Sequence, residues 1–83
     1  MKVYIVNKED TYHNYTLPLK GYKKEEEAVK YMNLCAEEIL RDNIGMKLVS
    51  VSDRNRSLYY EEDEYGEDKD FRYIFYISTV EVF

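Results

Sequence analysis

Few residues in this 83-residue chain have the type and spacing that catalysis or metal binding would need. His13 is the only histidine and stands in a polar run with Tyr12 and Tyr15 on either side, without a second imidazole to share a metal. It reads as a surface residue. Cys35 is the only cysteine, so neither an intrachain disulfide nor a thiolate cluster can form. It lies on the apolar stripe of a helical segment, where a buried thiol behaves as a small hydrophobe with a raised pKa. The acidic run EEDEYGEDKD, residues 61–70, is the one place with enough carboxylates to hold a cation. Aligning Gly66 with the glycine of an EF-hand loop puts Glu61, Asp63 and Tyr65 at the first ligand positions. Arg72 then falls where the bidentate glutamate belongs. Two positions fail, which leaves only opportunistic binding of Ca²⁺ or Mg²⁺. A pair of carboxylates working as acid and base needs a concave pocket, and a solvated acidic loop does not supply one. The three glycines are scattered, so there is no phosphate-binding loop. These residues predict no enzyme, no cofactor and no metal site.

The remaining candidates are surfaces. The net charge of −5 is concentrated: residues 61–70 hold seven acids and one lysine, while the rest of the chain has eleven basic and ten acidic residues. Nucleic acid and anionic membrane would both be repelled, so neither is expected as a direct partner. The chain also has ten tyrosines and no tryptophan. Tyrosine combines a flat apolar ring with a polar tip and few rotatable bonds, which suits it to protein interfaces and equally to half-buried strands.

The element that must organise these surfaces is a helix over about Lys24 to Asn43. Ala28, Val29, Met32, Cys35, Ala36, Ile39 and Leu40 recur at spacings of three and four and form one stripe. Lys30, Asn33, Glu37 and Arg41 fall on the opposite, watered side. Glu25, Glu26 and Glu27 suit the positive end of the helix dipole, and Gly45 stands just past the end as a stop. Strands are predicted at Met1–Asn7, apolar on both pleat faces and therefore central, and at Tyr15–Tyr22, where Pro18 places it at an edge. Two more are predicted at Lys47–Asp53 and Phe71–Phe83, the last with a bulge where its phase changes near Ser78 and Thr79. Arg54–Ser57 reads as a polar turn, with Leu58, Tyr59 and Tyr60 extending a hairpin arm. The expected fold is α+β in a single domain: a small antiparallel sheet of about four strands in the order β-β-α-β-β, with one amphipathic helix on one face. The helix core residues Met32, Cys35, Ile39 and Leu40 are expected against Val3, Ile5 and alternate residues of the last strand. One helix covers only one sheet face, so the other needs a partner. A homodimer is expected, with Tyr4, Tyr73, Tyr76 and Val82 at the contact.

The opening MKVYIV, the helix start KKEEEAVKYM after Gly21 and Tyr22, and the closing YISTVEVF together resemble short uncharacterised proteins common in phages and prophages. The matching positions are Glu26, Ala28, Tyr31, Tyr76, Ile77, Val80 and Glu81, and the likeness covers about half the chain. The resemblance implies a small cytoplasmic phage-type protein acting in a bacterial host cell by binding. It also implies the mode of acidic inhibitors, among them anti-CRISPR proteins and DNA mimics, which occupy the basic groove of a target. The opening run is too short for a signal peptide and no transmembrane run follows, in keeping with that location.

The reading the residues and the resemblance support together is inhibition of a bacterial host or defence protein with a basic surface. The expected contact residues are Glu61, Glu62, Asp63, Glu64, Tyr65, Glu67, Asp68 and Asp70 of the acidic run, with Tyr59, Tyr60, Tyr73 and Tyr76 of the strands. Two alternatives stay open. One is a binder or sponge for a small nucleotide signal at a dimer interface, using stacked tyrosines with Arg54, Arg56 and Arg72. The other is a plain structural or assembly module.

Overall fold

The computed structural model of the chain describes residues 1–60 and 72–82. In order, the elements are β1 (Lys2–Asp10), β2 (Tyr15–Tyr22), α1 (Glu25–Asp42), β3 (Met46–Ser52), β4 (Asn55–Tyr60) and β5 (Tyr73–Glu81). The strands form one antiparallel sheet in the order β2-β1-β5-β4-β3. The chain therefore enters α1 from one edge strand and leaves it into the other. At about 1.5 Å per residue an 18-residue helix is long enough to cross four strand spacings of about 4.8 Å.

The sheet has five strands rather than about four. Residues Asn55–Tyr60 pair with β3 on one side and with β5 on the other. Their polar start hides a strand because each polar group has a partner. Ser57 is buried and donates to Asn55 Oδ1 at 3.0 Å, and Arg56 donates to Asn33 on α1 at 2.9 Å. Asn33 is thus half-buried and tied to the sheet, not on the watered side. The predicted bulge in β5 is absent: its register against β1 runs unbroken from Lys2 opposite Glu81 to Asp10 opposite Tyr73. The two register shifts fall in the edge strands instead. One sets Leu19 of β2 out of the ladder, and the other does the same to Val51 of β3.

The core lies between α1 and the face of the sheet that carries Val6, Leu58, Phe75 and Ile77. Ala28, Met32 and Ala36 face it from the helix, four residues apart, and the two alanines let α1 approach the sheet closely. Val29, Cys35, Ile39 and Leu40 flank this line and are half-buried. The helix does not rest on Val3 and Ile5. Pairing puts Tyr4 and Val6 on the same face as Ile77 and Phe75, so Val3 and Ile5 point to the opposite side. At the helix start Lys24 is extended and offers no side-chain cap, while Gly45, with φ 86°, turns the chain into β3.

Candidate functional site

The face of the sheet opposite α1 carries no covering element among the described residues. Strand alternation places Val3, Ile5 and Asn7 of β1 there, with Ile74, Tyr76, Ser78 and Val80 of β5 beside them. Tyr59 and Ser57 continue the face on β4, and Val49 on β3. Gly21 lies on the same face in β2. A Cβ there would stand 3.2 Å from Val3 Cγ1, so the glycine lets Val3 lie over the β2 backbone. The polar centre of the face is internally satisfied. Asn7 is buried, donating to Ser78 Oγ at 2.9 Å and to the Ile5 carbonyl at 3.1 Å. The result is a half-buried apolar and aromatic surface around a closed polar centre, the make-up of a protein-docking patch more than of a reaction centre.

The four tyrosines expected at the contact divide between the two faces. Tyr59 and Tyr76 are half-buried on the open face, Tyr76 lying between Asn7 and Asn55. Tyr73 faces the α1 side with Tyr4, so neither of these two belongs to the open face. Tyr60 ends β4 opposite Met46. Glu61, Glu62, Asp63, Glu64, Tyr65, Glu67, Asp68 and Asp70 lie outside the described residues. Val82 is exposed just beyond β5, its amide bonded to the Met1 carbonyl at 2.7 Å.

A second cluster, at the tip of the β1–β2 hairpin, was not legible from composition. Asp10 is buried at 3% exposure, and its Oδ1 accepts from the amides of Tyr12 and His13, each at 3.1 Å. Its Oδ2 stands 2.8 Å from His13 Nδ1. Burial alone would raise the Asp10 pKa, but the hydrogen bonds from His13 and the nearby Arg72 charge outweigh it and hold the carboxyl below its ordinary value. Asn14 closes the turn at φ 57°. The guanidinium of Arg72 lies 4.3 Å from the Tyr12 ring centre and 5.2 Å from that of Tyr73, and the Lys8 ammonium covers Tyr73 at 4.9 Å. His13 is therefore not a free surface residue; it helps fix the turn. The sequence did hold one signal of this, an Asp followed two and three residues later by amides it can cap.

The arginines do not converge. Arg54 donates to Glu25 on α1 at 2.6 Å and to Thr79 at 3.1 Å, and lies over the Tyr4 ring. Arg56 is held by Asn33 and by the carbonyls of Ser52 and Asn55. Arg72 sits at the hairpin tip, next to Tyr12. The Cys35 thiol, half-buried on α1, is pushed up in pKa by burial despite a hydrogen bond with Tyr31. No group of three or more His, Cys, Asp or Glu that could hold a metal ion occurs among the described residues.

Fold and site together define a small α+β protein whose sheet is covered on one face only by the described residues. No family model, curated protein or solved structure matches the chain. Among the described residues no helix is long and apolar enough to cross a membrane.

Proposed function

We propose that this chain is a phage-type binding protein that inhibits a bacterial host or defence protein by docking on a basic surface of its target. The observation that carries the reading is the open sheet face, where Val3, Ile5, Ile74, Tyr76 and Val80 stand half-exposed or exposed with no described element across them. The second support is the charge distribution. Residues 61–70, with a net charge of −6, follow directly on Tyr60, the last residue of β4, in the sequence. Long-range attraction by the carboxylates raises the rate of capture, and the apolar face slows release. The scatter of Arg54, Arg56 and Arg72 over separate contacts gives less support to a nucleotide-binding alternative.

The test is capture of proteins from bacterial lysate at low and high salt. It compares wild type with a variant in which Glu61, Glu62, Asp63 and Glu64 become Gln or Asn, and with Tyr76→Ala. Wild type should retain a basic protein that is lost as salt rises, because exposed charge pairs are screened. The carboxylate variant should capture it more slowly and with a flatter salt response, and added DNA should compete for it. Equal capture by all three proteins at every salt concentration refutes the reading.

A further inference from the structure

The two edges of the sheet are built differently. At the β2 edge Pro18 has no amide hydrogen to offer, and the register shift turns Leu19 inward against the core. At the β3 edge there is no proline or glycine, and Leu48, Val49 and Val51 are exposed at 40%, 39% and 64%. The outer backbone of β3 faces no strand among the described residues. Its register shift lies at Val51, near the end, so Met46–Ser50 pairs with β4 in unbroken register. A straight apolar edge of this kind is a template for another strand.

We propose that β3 is the surface through which two copies of this chain associate, the two β3 strands pairing antiparallel across a two-fold axis near Leu48. The two sheets then become one. Leu48 of each copy meets its counterpart on the α1 side, and Val49 extends the apolar contact on the open side.

Two features single out a second copy as the occupant. The first is closure. Pairing β3 with β3 uses the same patch twice and ends at two copies, whereas β3 on β2 would propagate without end, and Pro18 with the Leu19 shift obstructs it. The second is charge. Tyr60, the residue before the acidic run, pairs with Met46 at one end of β3, while Arg54 and Arg56 sit at the other end near Ser52. Antiparallel pairing about Leu48 sets Met46 of one copy beside Ser50 of the other. The two Tyr60 residues, which precede the acidic runs, then lie roughly 20 Å apart, from about 13 Å along the strands and about 14 Å across three strand spacings. That exceeds a Debye length of about 8 Å. Parallel pairing would bring the two Tyr60 residues to about 14 Å, three strand spacings apart. One edge strand gives a contact well under the roughly 1,600 Å² of a standard interface, so the dimer is weak and reversible.

This contact centres on Leu48 and the β3 edge and shares only Val49 with the open face, so it stands or falls separately from the inhibitor reading. Sedimentation of the full chain over a concentration series tests it, with hydrogen exchange read at low and high concentration. Wild type should pass from monomer to dimer as concentration rises, and the outward-facing amides of Leu48 and Ser50 should gain protection in parallel. A Leu48→Lys, Val49→Lys double variant should weaken the dimer at least about tenfold, since like charges would meet at the axis. Tyr76→Ala should dimerise like wild type. A monomer at high micromolar concentration, a dimer that survives the double variant, or a dimer dispersed by Tyr76→Ala overturns the proposal. If the double variant fails to fold, wild-type exchange decides: β3 amides whose protection ignores concentration refute it.

Discussion

Replacing Leu58 by alanine tests where the core lies. Leu58 is fully buried on the α1 side of β4, between Leu48 on β3 and Tyr73 on β5, in the cluster with Met32 and Phe75. The change removes three carbons, about 2.4 kcal/mol of burial at about 0.8 kcal/mol each. The cavity left in a close-packed site brings the loss to about 3–4 kcal/mol. An 83-residue domain holds about 4–12 kcal/mol in all, so much of its stability disappears. At roughly 4–8 °C per kcal/mol the melting temperature should fall by roughly 12–30 °C. Ile39→Ala is the comparison. Its helical spacing alone suggests a core residue worth roughly 2–5 kcal/mol, but Ile39 is only half-buried at the flank of the helix line, so about 1–2 kcal/mol is expected. Urea unfolding followed by circular dichroism measures both, with the slope against urea unchanged. Dilute protein keeps any self-association out of the result. If Ile39→Ala costs as much as Leu58→Ala, the helix lies on the sheet in a different register and the open face assigned above is wrong.

Asp10 makes stability depend on acid. Its folded pKa lies below the ordinary 3.8, so the charged carboxylate stabilises the fold above that value, and the contribution is lost as pH falls through the folded pKa. Asp10→Asn should therefore lower the urea midpoint at neutral pH and approach wild type in strong acid; a difference that grows on acidification refutes the assignment. Gly45→Ala should cost about 1 kcal/mol in the same assay. Nothing lies within 4 Å of the added carbon, and the loss comes from the backbone at φ 86° alone. An unchanged midpoint would mean the turn into β3 is not held in that conformation.

Much of the architecture follows from local pattern. The spacing of Ala28, Met32 and Ala36 is sufficient for one helix with one buried line, because a 3.6-residue period admits no other face. Pro18 alone places β2 at an edge, since a strand without that amide cannot be paired on both sides. Other features have no local signature. Residues 3–6 are apolar on both pleat faces, so alternation cannot choose between Val3 with Ile5 and Tyr4 with Val6; only the docking of α1 does. The start of β4, residues 55–57, looks like a turn until Asn33 on the helix and β3 and β5 on its flanks satisfy its polar groups. The hairpin tip depends on Thr11 bonding through its amide to the carbonyl of Arg72, which brings Arg72 onto Tyr12 from across the chain. Such contacts between distant residues are decided by tertiary packing, because no short stretch of sequence contains both partners.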